Sequence, residues 1–154
     1  MTKQAVHDEL VALESSANSD DGKKLEDAID DLARSLEPSR WLDAAHLRAD
    51  TGSGVFEDEK GAVISLRVLL HNGRSALDDD LLGELIRRIL GADRALAVAA
   101  ITDAGGRGAR TVGQAVGELA KGDREAAKGN ETSAIEHYRL AWEQAEEAAD
   151  LGLD

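Results

Sequence analysis

Cysteine is absent from the 154 residues. That excludes disulfides, thiolate nucleophiles and Cys-ligated zinc or iron–sulfur centres, and it leaves the redox compartment open. Proline occurs once, at Pro38, and aromatic rings are confined to Trp41, Phe56, Tyr138 and Trp142. No apolar run approaches the roughly eighteen residues of a membrane helix, and residues 1–4 lead into no hydrophobic signal core. The chain therefore reads as soluble and not inserted in a membrane, any export signal lying outside it.

Positive charge is scarce as well. Lys and Arg total 18 against 31 Asp and Glu, a net charge of −13. Twelve of the basic residues are Arg and only six Lys, while 17 Asp exceed 14 Glu. Such a surface stays hydrated in concentrated salt, where screening weakens its self-repulsion. We read it as adaptation to a high-salt (halophilic) environment, the alternative being an ordinary acidic domain from a GC-rich genome. Either reading disfavours contact with a phosphate backbone, so no nucleic-acid partner is expected.

What the chain does have is helical periodicity. Val6, Leu10 and Leu13 form a short apolar stripe over residues 3–15. Leu25, Ala28, Ile29, Leu32 and Leu36 form a second, capped by Asp20 or Asp21 and stopped by Pro38. A short helix is expected over Ser39–Ala44, followed by an irregular stretch to Gly54. A third helix, about 55–71, carries Phe56, Val63, Leu66 and Leu70. A fourth, over 78–104, opens on Asp78, Asp79 and Asp80, whose charges suit a helix N-terminus. Residues 105–108 end it. A fifth helix spans about 109–127, where Gly113 and Gly117, four apart, are expected to permit close helix–helix approach.

The last segment, 121–150, contains a Lys128-Gly129-Asn130 stop and then Tyr138 and Trp142 on one helical face, extended by Ala134, Ile135, Ala141, Ala145 and Ala149. No period-2 pattern is visible. The fold class is all-α, a bundle of about five to six helices with a C-terminal helical hairpin. Residues 1–20 form an N-terminal helix and linker, and 21–150 the bundle domain. Trp41, Phe56, Tyr138 and Trp142 are expected to share the structural core.

Motifs that would carry chemistry are sparse. His7, His46, His71 and His137 are scattered, none paired with a second histidine at ligand spacing, and each reads as structural or solvated. Weak metal candidates are Asp43, His46 and Asp50, and Glu57, Asp58 and Glu59 could add oxygens for a hard cation such as calcium. The segment lacks the D-x-[DN]-x-[DN]-G pattern, so it reads as a solvated acidic loop. The Gly105-Gly106-Arg107-Gly108-Ala109-Arg110 stretch follows a helix and lacks the Gly-Lys-Ser/Thr ending of a phosphate loop, which makes it a connector. No catalytic residue, cofactor-binding residue or cofactor is expected.

Two resemblances follow from the residues. The stretch beginning at Gly129, GNETSAIEHYRLAWEQAEEA, is similar to the second helix of a tetratricopeptide repeat, although no 34-residue period recurs. Over residues 24–149 the chain resembles a helical domain found near the C-termini of secreted and cell-surface bacterial and archaeal proteins. The likeness rests on Leu25 to Leu32, Trp41, His46-Leu47, Gly54 to Lys60, Ala92 to Ala97, Glu118 to Asp123 and Ala134 to Trp142. It implies a non-catalytic accessory or scaffold module that acts by protein contact, at an extracellular or cell-surface location. A tetratricopeptide-like adaptor that binds a peptide or partner protein is the alternative, and a metal-dependent enzyme the second alternative.

Overall fold

The structure, a computed structural model, describes residues 2–151. Among these residues the order is α1 (Thr2–Leu13), α2 (Gly22–Ser35), α3 (Ser53–His71), α4 (Asp79–Ala104), α5 (Ala109–Ala127) and α6 (Glu131–Leu151), with 3-10 turns at Glu14–Ser16 and Pro38–Arg40. The molecule is an all-α bundle. The most extensive packing joins α5 to α6, α2 to α3 and α4 to α6, and α1 lies across α2 and α4.

α2, α3 and α4 bury the stripes their periodicity marks, whereas of the α5 stripe expected on Val112, Ala115, Val116 and Leu119 only Ala115 is buried and Val116 is exposed. α2 contributes Leu25, Ala28 and Leu32, α3 contributes Phe56, Val63, Leu66 and Leu69, and α4 contributes Leu82, Leu85, Ile89 and Leu96. α6 runs through the centre on Ala134, Ile135, Tyr138, Ala141, Trp142, Ala145 and Ala148. Its small residues alternate with large ones at three- and four-residue intervals, so neighbouring helices seat closely along it. Ala148, rather than Ala149, ends that buried face.

Local chemistry sets the ends. Asp78 caps α4, its Oδ1 accepting from the backbone N–H of Asp80 at 2.8 Å, and Asp79 and Asp80 complement the helix dipole. Asp21 precedes α2 but does not cap it. Its Oδ2 accepts instead from the backbone N–H groups of Asn18 and Ala76, at 3.1 and 3.0 Å, while Asn18 Nδ2 donates to the Arg74 carbonyl at 2.8 Å. The start of α2 is thereby tied to the α3–α4 connection.

Two expectations are corrected. The helix expected at Ser39–Ala44 does not form beyond Pro38–Arg40. Trp41 is extended, at φ −116° and ψ 140°, in an antiparallel bridge with Leu47, and its Nε1 donates to the Ser35 carbonyl at 2.8 Å. Nor do Gly113 and Gly117 mediate close packing, since a Cβ on either would meet open space. The close approach of α5 to α6 falls at Gly122, where a Cβ would stand 2.5 Å from the Tyr138 ring.

Candidate functional site

The buried stripes of three helices each carry one charged residue, and the fold brings the three together. Lys3 lies in the first turn of α1, in phase with Val6 and Leu10. Glu59 sits between Phe56 and Val63 on α3, and Asp93 between Ile89 and Leu96 on α4. The Lys3 ammonium stands 2.6 Å from Glu59 Oε1 and 3.1 Å from Asp93 Oδ1, with the Lys3 side chain 3% exposed and both carboxylates fully enclosed. These are ion pairs by distance whose angles fall short of directed hydrogen bonds. The Trp41 ring completes the enclosure, its centroid 5.1 Å from Lys3 Nζ, within cation–π range.

Burial alone would drive the proton off Lys3, but the two carboxylates outweigh it and hold its pKa above the ordinary lysine value. Burial, reinforced by the adjacent Glu59 carboxylate, pushes Asp93 well above the usual aspartate range. An ammonium held protonated has no free lone pair and is a poor covalent nucleophile. The cluster ties α1 to α3 and α4 through paired charge. Beside it opens a concavity of about 240 Å³ lined by Lys3, Trp41, Ala44, Ala45, Ala92 and Leu96.

The acidic segment does not converge as a calcium loop would. Glu59 turns inward to Lys3, Asp58 meets Arg40 at 2.5 Å, and Glu57 faces Arg139 at 3.3 Å. Successive residues of α3 point about 100° apart, which scatters the three carboxylates to different neighbours. His46 lies between two aspartates, with Nδ1 2.8 Å from Asp43 Oδ1 and Nε2 2.7 Å from Asp103 Oδ2. Hydrogen bonding to Asp43 raises the His46 pKa, and once protonated the ring can donate to both carboxylates. Asp50 is exposed. Among the described residues, no group of three or more His, Asp and Glu side chains is arranged to hold a metal ion.

Phe56, Tyr138 and Trp142 share one buried core, and Trp41 packs against it. Phe56 and Trp142 are buried against each other, ring centroids 5.8 Å apart and planes tilted by 44°. Tyr138 is buried nearby on α6, its hydroxyl donating at 2.9 Å to Asp123 Oδ1, and Arg94 of α4 grips the same carboxylate through Nε and Nη2 at 2.8 and 3.0 Å. Trp41 is only partly buried and belongs to the Lys3 site.

On the opposite side, α3 turns two large apolar residues outward. Ile64 and Val68, one turn apart, are 47% and 46% exposed. With Arg67, His71, Asn72 and Thr132 they edge an open concavity of about 610 Å³ between α3 and the start of α6. Arg67 is steadied by Glu131 at 2.8 Å.

Sequence reasoning missed Lys3 and Asp93 and placed Glu59 in the wrong chemistry. The signal was there: each is a charged residue in phase with an apolar stripe. No helix among the described residues is long and apolar enough to cross a membrane. Comparison with protein-family models, with curated proteins and with solved structures gave no match.

Proposed function

We propose that the chain is a non-catalytic helical module that works by contact with a protein partner, as an accessory or scaffold domain of a secreted or cell-surface system in a high-salt environment. The observation that carries this reading is the outward Ile64–Val68 pair on α3. Two large aliphatic side chains stand side by side in a chain of net charge −13, flanked by Arg67 and His71 and bordering an open depression. An apolar centre with a polar rim is the composition of a protein contact site. The enclosed charged cluster supports the same reading, because its ammonium and carboxylates are engaged with one another.

A tetratricopeptide-like adaptor is the second reading, favoured by the nesting of Tyr138 over Gly122 in the α5–α6 hairpin. Site-specific photo-cross-linking separates the two. A cross-linking residue at Ile64 or Val68 is expected to give a discrete adduct in the native host. Adducts only from Val116, exposed on α5, would favour the adaptor, and adducts from neither position would overturn contact through the α3 face.

A further inference from the structure

Glu59, Asp93 and Trp41 together make a receptor for a primary ammonium, and the chain fills it with its own Lys3. Two enclosed carboxylates from different helices lie within 2.6 and 3.1 Å of the ammonium, with an indole ring at 5.1 Å. The seat continues along the bundle. Val6 and Leu10, three and seven residues beyond Lys3, are fully buried against it, so it reads one face of a helix: ammonium, aliphatic, aliphatic. At its edge Glu9 Oε1 accepts from Arg88 Nη1 of α4 at 2.6 Å.

We propose that this seat also accepts α1 of a second copy, so that two chains associate by exchanging their N-terminal helices. The occupant is argued from the fit itself, since the helix complementary to the seat is the one each copy carries. A hinge is also in place. Asn18 and Asp21 are tied to Arg74 and Ala76, so the start of α2 stays with the bundle. Glu14, Ser15 and Ser16 just before them are exposed, and Ala17 is extended at φ −75° and ψ 141°. Rotation there carries α1 away while the start of α2 stays tied to the α3–α4 connection.

Exchange re-forms the contacts of α1 on the partner bundle, and it is opposed by association entropy, by rearrangement of residues 14–17 and by repulsion between two chains of charge −13. Salt removes the repulsion, as the screening length falls from about 10 Å at 0.1 M to about 3 Å at 1 M, while the enclosed ion pairs are screened far less. The exchanged dimer therefore grows with both protein concentration and salt. The α3 face plays no part in it.

Complementation tests the exchange. Lys3→Met leaves two carboxylates unbalanced, and Glu59→Gln/Asp93→Asn leaves an ammonium unbalanced. A pair exchanging helices between these variants has one native site and one neutral site. Mixed, refolded and concentrated in molar salt, the two are expected to give a species of twice the chain mass that melts above either variant alone. A mixture that elutes and melts as the sum of its parts overturns the proposal.

A second measurement avoids reliance on weakened variants. Because the chain has no cysteine, Glu9→Cys/Arg88→Cys joined by a short bismaleimide reports whether α1 sits on its own bundle or another's. Cross-linked dimer is expected to rise about tenfold in abundance relative to monomer for a tenfold rise in concentration while dimer is the minor form. Intramolecular linkage alone at every concentration and salt level would overturn the exchange.

Discussion

The ring of Tyr138 lies against Gly122, so close that a Cβ on residue 122 would stand 2.5 Å from ring atom Cε1. This contact sets the spacing of α5 and α6, and it makes the glycines of α5 unequal. Gly122→Ala forces the ring aside and is expected to lower stability by about 1–3 kcal/mol, as overpacking does. Gly113→Ala and Gly117→Ala meet open space and are expected to raise it by about 0.5–1 kcal/mol each through helix propensity. Chemical denaturation of the three variants checks the contrast.

Trp142 packs on Phe56 in the centre of the bundle. Trp142→Ala is expected to cost about 3–5 kcal/mol, in the range of aromatic truncations in cores, and an unchanged melting midpoint would contradict the core role.

Burial, aided by the neighbouring Asp123 carboxylate, pushes the Tyr138 phenol well above its ordinary pKa. As Tyr138 is the only tyrosine, a spectrophotometric alkaline titration reads it without interference. Tyrosinate absorbance is expected to appear only as the chain unfolds, and a reversible step near the ordinary value of 10.0 in folded protein would contradict the assignment.

The pH response should have two distinct flanks. Burial works against the Glu136 carboxylate, but Lys60 and Arg139 prevail and bring its pKa down to about 2 from 4.5. A depressed folded pKa contributes stability above the unfolded value that is lost as pH falls through the folded one. Glu136→Gln should therefore lower stability at neutral pH and flatten its decline between 4.5 and about 2. His46 has the opposite sense. Its raised pKa contributes stability that is present below the unfolded value of 6.5 and lost as pH rises through the folded pKa. His46→Gln removes that alkaline loss. Thermal melts across pH check both.

Much of the fold was legible in residue spacing. The stripes of α2, α3 and α4, the Asp78 cap and the break after Ala104 follow from local chemistry, and so do helix boundaries within a residue or two. The 39–44 segment was not legible, because Trp41 is held extended by the Ser35 carbonyl and by Leu47, and these partners are fixed only by tertiary packing. The glycine that matters in α5 was likewise hidden, since spacing gives a face but not the neighbour it meets. The Lys3 cluster joins residues 34 to 90 positions apart. Each member showed as a charge within an apolar stripe, but their meeting depended on how three helices pack.

The most direct test of the account is a stability comparison on the Lys3–Glu59–Asp93 cluster, whose role here is to anchor α1 by paired charge. Removing one partner from a buried ion pair leaves the other uncompensated, whereas replacing the whole set with apolar residues does not. Lys3→Met, which strands both carboxylates, is expected to lose about 3–5 kcal/mol in urea denaturation, while Lys3→Met/Glu59→Met/Asp93→Val recovers most or all of that loss. A triple variant no more stable than Lys3→Met, or Lys3→Met indistinguishable from the parent, would contradict the anchoring role.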